Sequence, residues 1–227
     1  MMKLSHVPAA VVFDMDGLLF DTEALYGEAF TQAASDRGYD MPSPVFLTMV
    51  GHPWPVNQVQ LLDHYGPAFP VDEFGEAVRQ HFSSMADARL RLKPGVFELL
   101  DVLDELRLPC AIATSSKHDT VRHHLAAYAL HGRFHAVVAH GDYAASKPAP
   151  DPYLNAAKRL GVDPGSCLAL EDSYAGVRSA SSAGMTAIMV PDLLQPTDEI
   201  RRLCAYVAVD LNEVRGLISD ASLRRVA

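Results

Sequence analysis

The chain has 227 residues, 49% of them apolar and 21% charged, with 14 glycines and 15 prolines. At about 100–200 residues per domain, that length holds one large domain or a core carrying a smaller one; the composition excludes a disordered, collagenous or coiled-coil chain. Twenty-eight acids against 19 bases give a net charge of −9, which argues against a nucleic-acid partner, because a phosphate backbone needs a basic footprint.

The apolar run Ala9–Phe13 predicts a strand buried on both faces. Asp21–Gly38 carries apolar residues at helical spacing and ends at a glycine. The proline-rich stretch Met41–Leu90 reads as helical throughout, with helices over Val56–Tyr65 and Val71–Leu90. From Pro94 the pattern alternates. Helices are expected over Val96–Leu106, Lys117–Tyr128, Pro152–Leu160 and Tyr174–Ala183. Strands are expected over Cys110–Thr114, Ala136–Ala139, Cys167–Leu170 and Thr186–Val190. A short strand at Tyr206–Val209 and a helix over Leu211–Ser219 close the chain. Strands alternating with helices imply βαβ units and a parallel sheet. The fold class is therefore α/β: a doubly wound parallel-sheet core, residues 1–20 and 91–227, with an inserted all-helical domain over residues 21–90.

Cys110, Cys167 and Cys204 are widely spaced, which fits buried hydrophobes rather than disulfides or a zinc site. No apolar stretch reaches the roughly 18 residues of a membrane span, and the N-terminal run reads as a strand, not a leader. A cytoplasmic protein is expected. His131 and His135 fall in a loop, His123 and His124 read as helix surface, and the arginines near Arg201 and Arg224 as solvated faces.

In a doubly wound sheet, ligands bind at the carboxyl ends of the strands. Four of the predicted strands deliver polar groups there: Asp14 and Asp16 after the first, then Thr114, Ser115 and Ser116, then Ser146 and Lys147, then Glu171, Asp172 and Ser173. The Asp-x-Asp-Gly string is not a calcium loop, since Leu18, Leu19 and Leu25 occupy positions that need oxygen, glycine and glutamate. Ser173 is expected to cap the following helix, and Asp151–Pro152 to cap and open another. Lys147, preceding Pro148, is biased toward an extended backbone. Clustered carboxylates call for a hard divalent cation, and Mg²⁺ takes oxygen ligands alongside phosphate. Lys147 adds positive charge, while Thr114 and nearby amides can hold phosphoryl oxygens. One carboxylate is then available as nucleophile and a second, two residues on, as acid and base. The set describes a phosphoryl-transfer site.

Four strings, VVFDMDGLLFDTE, IATSSK, SKPAPDPY and LEDSYAGVRSASSAGM, fall in this order along the chain. Together they resemble the haloacid dehalogenase superfamily, in its β-phosphoglucomutase-like phosphatase branch with a small helical cap. The resemblance covers essentially the whole chain. It implies a Rossmann-like core, Asp14 as phosphorylated nucleophile and Asp16 as acid/base with its carbonyl on the metal. It implies Asp172 as a direct Mg²⁺ ligand, Glu171 as ligand or outer partner, and Lys147 as neutralising cation. Thr114 and the amides of Met15 and Ser115 would hold the phosphoryl group. Asp16 separates the chain from the name-giving dehalogenases, which lack an aspartate there.

The activity so implied is Mg²⁺-dependent hydrolysis of a small phosphomonoester through an aspartyl-phosphate. The alternatives are a sugar phosphomutase of the β-phosphoglucomutase type, a phosphoglycolate phosphatase, and a phospho-acceptor signalling domain, which would be about half as long and lack the insert. Mutases of this branch carry a histidine where Tyr26 stands and an arginine in the loop that here reads Gly51-His52-Pro53-Trp54-Pro55. Residues 21–90 hold ten acids against three bases, Arg37, Arg79 and Arg89. Such a cap is ill suited to a second phosphate, and to a distal carboxylate unless Arg79 faces the site. A sugar or polyol phosphate fits better, with Glu23, His52 and Trp54 as candidate readers of specificity. The expected partner is a small phosphorylated metabolite, with no nucleic acid and no membrane, bound by a monomer or weak homodimer.

Overall fold

The computed structural model describes Leu4, residues 6–52 and residues 54–226, the last two without their side chains. Pro53 and most of the N-terminal segment before His6 therefore lie outside the described residues. The chain divides into two compact units, one of residues 1–20 and 92–227, the other Asp21–Arg91.

The larger unit is built on six parallel strands: β1 (Ala10–Phe13), β2 (Cys110–Ala113), β3 (Ala136–Val138), β4 (Cys167–Glu171), β5 (Thr186–Met189) and β6 (Tyr206–Val207). Their order is β3-β2-β1-β4-β5-β6. The chain runs outward from β1 to β3, then returns to the other side of β1 and runs out to β6. The switch point thus lies between β1 and β4, where this sheet type opens a crevice at the strand ends. Every residue of β1, β2 and β4 is buried, as expected of strands covered on both faces. Val11 pairs with Cys110 on one side and Leu168 on the other, which sets the strand ends level.

In chain order the helices are α1 (Thr22–Ser35), α2 (Ser43–Met49), α3 (Trp54–Tyr65), α4 (Val71–Arg89), α5 (Val96–Glu105), α6 (His118–Ala127), α7 (Asp151–Leu160), α8 (Tyr174–Ser182), α9 (Asp198–Leu203) and α10 (Leu211–Val226). Two were not anticipated. Helix α2 is seven residues long, with Pro44 in its first turn; a proline there is compatible with a helix start but hides it from periodicity. Helix α9 is six residues long, capped by Thr197 accepting from the Ile200 amide.

His124 corrects the surface reading. It is 2% exposed, on the inner face of α6 with Val121 and Leu125, its ring 5.3 Å from that of Phe20. Cys110 and Cys167 are buried free thiols. Burial pushes Cys110 up to about 12 and Cys167 to about 11, so both stay protonated and inert.

The smaller unit is helical, α1 to α4. Its core gathers Phe30, Phe46, Phe69 and Phe74, with Phe30 in edge contact with Phe74 at 5.6 Å. The Trp54 ring lies over Gly75, where a Cβ would come within 2.3 Å of it.

Candidate active site

The site is assembled at the carboxyl ends of four neighbouring strands. Asp14 follows β1, and its amide donates to the Leu170 carbonyl of β4 at 3.0 Å. This bond seats the aspartate directly across from Glu171 and Asp172. After Asp14 the chain turns sharply: the amides of Leu19 and Phe20 both donate to the Met15 carbonyl, at 2.9 and 3.1 Å. Met15, Leu18 and Leu19 are thereby buried beneath a loop that keeps Asp16 at the surface of the crevice.

Lys147 arrives from the loop before α7, and the Lys147–Pro148 peptide is cis. Its ammonium donates to Asp14 Oδ1 and to Glu171 Oε1, each at 2.5 Å. Both carboxylates and the lysine are at least nine-tenths buried. Burial alone would lower the lysine, but the flanking Asp14 and Glu171 charges outweigh it and hold the ammonium well above its usual range. Burial pushes Asp14 upward; Lys147 pulls it down, and the neighbouring Glu171 and Asp16 push it up again. One ammonium therefore does not neutralise the cluster.

Glu171 is fully buried. Its Oε1 accepts from Lys147 and, at 2.6 Å, from the Tyr153 hydroxyl. Its Oε2 accepts from the amides of Asp172 and Ser173 and from the Ser173 hydroxyl, at 3.0–3.2 Å. Ser173 also caps α8, accepting from the Gly176 amide at 3.1 Å, as the sequence predicts. Asp151 behaves differently from expectation. It is the first residue of α7 rather than its cap, and its carboxylate accepts from the Ala145 amide at 3.2 Å, closing the loop that carries Lys147.

Asp16 meets the β2 end. Its Oδ2 accepts from the Ser116 hydroxyl at 2.7 Å and from the Thr114 hydroxyl at 3.4 Å, while its Oδ1 is buried with no partner among the described residues. Thr114 Oγ1 in turn accepts from the Ser116 amide at 3.0 Å. Ser115 is exposed between them. Sequence reasoning gave Ser116 no role, although it stood next in the same polar string. It gave none to Tyr153 either, although that residue closes the string SKPAPDPY.

Asp14, Glu171 and Asp172 each offer a carboxylate oxygen within 4.8 Å of the others. All three are buried. An all-oxygen, anionic donor set of this kind suits a hard cation such as Mg²⁺, so the residues fit the metal.

Of the suggested specificity residues, Glu23 lies in the first turn of α1. His52 is exposed after α2, its Nδ1 2.9 Å from the Thr48 carbonyl oxygen. Trp54 opens α3 and packs on Gly75. Tyr26 stacks on Phe82 at 3.9 Å.

A doubly wound sheet with paired aspartates after β1, a hydroxyl after β2, a lysine before α7 and acids after β4 defines a class of hydrolase. The family model "haloacid dehalogenase-like hydrolase" matches residues 11–190, and the chain belongs to that family of enzymes. Hexitol phosphatase B of Escherichia coli K12 is 33% identical over 190 residues, spanning 80% of this chain and 83% of that protein. A phosphorylated carbohydrates phosphatase of Thermotoga maritima is 31% identical over 179 residues, covering 79% and 83%. A crystal structure of a family IA hydrolase from Entamoeba histolytica superposes with a TM-score of 0.78 at 25% identity, over 92% of this chain and 97% of that one.

Proposed function

We propose that the chain is a Mg²⁺-dependent phosphatase of small phosphomonoesters, sugar or polyol phosphates, working through an aspartyl-phosphate on Asp14. The observation that carries this reading is Lys147 bridging Asp14 and Glu171 at 2.5 Å, with Asp16 at the same strand edge on the Ser116 and Thr114 hydroxyls. Mg²⁺, held by Asp14, the Asp16 carbonyl and Asp172, would supply the charge that neutralises phosphoryl oxygens. Glu171, already accepting from five donors, serves as the outer partner that anchors Lys147 and the loop before α8.

In the first step an Asp14 carboxylate oxygen attacks phosphorus and the bond to the sugar oxygen breaks. Asp16 donates its proton to that oxygen. In the second step Asp16 takes a proton from water, the water oxygen attacks phosphorus, and phosphate leaves as Asp14 is regenerated. Thr114, with the amides of Met15 and Ser115, holds the phosphoryl oxygens, and Lys147 screens them from Asp14.

The distal end of the substrate is read as neutral. Three arginines of residues 21–90 are engaged within the smaller unit: Arg37 with the Glu73 and Ala33 carbonyls, Arg79 with Glu76, Arg89 with Glu28. That supports a hydroxyl-bearing distal group over a second phosphate or a carboxylate, and Glu23, His52 and Trp54 are the proposed readers. The names of the hexitol and carbohydrate phosphatases point the same way. The test is release of phosphate, with and without Mg²⁺, across hexitol, hexose, pentose and nucleoside monophosphates and phosphoglycolate. Preference for phosphoglycolate would overturn the substrate class. Isomerisation of glucose 1-phosphate without phosphate release would replace the phosphatase by a mutase.

A further inference from the structure

We propose that Tyr153 is a positioning residue for this reaction: its phenol pins Glu171, and through Glu171 fixes the Lys147 ammonium on Asp14. The inference rests on the phosphatase reading and names a residue for the same site. Tyr153 lies on α7, two residues after the Asp151 that closes the Lys147 loop, and is fully buried. Its hydroxyl donates to Glu171 Oε1, the oxygen that also accepts from Lys147. The lysine nitrogen lies 5.1 Å from the centre of the Tyr153 ring. The tyrosine thus meets the lysine twice, with its ring face toward the cation and its hydroxyl on the cation's carboxylate partner.

A carboxylate offers about four lone-pair sites. Three donors hold Glu171 Oε2 from the α8 side, which leaves Oε1 to define how the group is rotated. Two donors share Oε1 from different directions, one flexible and one rigid. The lysine is a four-carbon stem; the tyrosine is locked in the core. Without the phenol, only Lys147 would orient Oε1, and the lysine would lose the fixed anion that holds it opposite the nucleophile. Gly176 closes the remaining space, since a Cβ there would lie 1.8 Å from the Glu171 carboxyl. A phenylalanine fills the same volume as Tyr153 and removes only the donor.

The experiment compares wild type, Tyr153→Phe, Glu171→Gln and the double variant on an aryl phosphate with saturating Mg²⁺. Partners that orient a catalytic or ligand group through one hydrogen bond are worth about 10–100-fold. Tyr153→Phe is expected to lower kcat about tenfold with KM within about twofold, and the double variant is expected to be no slower than Glu171→Gln alone. A second readout needs no turnover. In metal-free protein labelled with ¹⁵N-lysine, the Lys147 Nζ resonance, assigned by its loss in Lys147→Arg, is expected to move in Tyr153→Phe. Wild-type kcat in Tyr153→Phe, losses that multiply in the double variant, an unmoved Lys147 resonance, or failure of Tyr153→Phe to fold would each overturn the proposal. A wild-type protein that releases no phosphate would instead defeat the phosphatase reading, and the Lys147 resonance would still report on the tyrosine.

Discussion

Asp14 is buried against one ammonium and two acids, so its charge is useful only where something opposes it. Asp14→Asn keeps the shape and removes the nucleophile; hydrolysis of an aryl phosphate is expected to fall by about 10³-fold or more, measured against an unchanged circular dichroism spectrum. Asp142 shows the opposite electrostatics, outside the reacting groups. Partial burial would raise it, but the Ala139 amide, His118 and Arg159 win and hold its carboxyl down at about 2. The Ala139 and Arg159 contacts measure 3.0 and 3.1 Å. A folded-state value below the ordinary one of about 3.9 stabilises the protein above that ordinary value, and the benefit disappears as pH falls through the folded value. Asp142→Ala is expected to cost about 1 kcal/mol near neutrality, a modest figure because His118 and Arg159 are partly exposed. The gap in Tm from wild type should close between about pH 4 and pH 2.

At the scale of elements, the β4–α8 junction is tied together by Glu171 and Ser173, and it closes only because residue 176 lacks a side chain. Gly176→Ala would set a methyl 1.8 Å from the Glu171 carboxyl. It is expected to destabilise the protein by about 1–3 kcal/mol and to lower activity by displacing Glu171, read by thermal melting together with kcat. The α3–α4 contact is built in the same way: Gly75→Ala meets the Trp54 ring at 2.3 Å and should cost a similar amount in melting while leaving the groups around Asp14 untouched. Element boundaries came within a few residues of the sequence reading wherever the hydrophobic period was long or a strand was wholly apolar, as in β1, β2 and α4. Helices α2 and α9 were missed because six or seven residues give less than two turns of periodicity. Helix α10 runs to Val226 rather than ending at Ser219; past Ser219 the buried stripe is continued by the small Ala221, a weak signal in a linear pattern.

On the scale of the whole molecule, residues 21–91 form one compact unit and the rest another. The chain leaves and rejoins the larger unit at adjacent points: the Lys93 amide donates to the Leu19 carbonyl at 2.9 Å, and Phe20 bridges antiparallel to Leu92. All six strands and their pairings belong to the larger unit. A chain in which a short Gly-Ser link joins Phe20 to Leu92 is therefore expected to fold with a cooperative melt, checked by circular dichroism and calorimetry. Among the described residues no helix is long and apolar enough to cross a membrane.

The sequence by itself determined the α/β class, the alternation of strands and helices in the larger unit and the polar strings that follow its strands. Each depends on short-range pattern: apolar runs of strand length, helical periods, and polar strings directly following strands, so that position along the chain already fixes which edge a residue reaches. Only the tertiary structure decided how those groups are wired. That Lys147 bridges Asp14 and Glu171, that Tyr153 shares Oε1 with it, that Asp16 rests on Ser116 and that His124 is buried beside Phe20 are contacts between residues far apart in the chain. They arise from strand register, helix rotation and close packing, and a linear pattern carries no record of which side chain those will bring face to face.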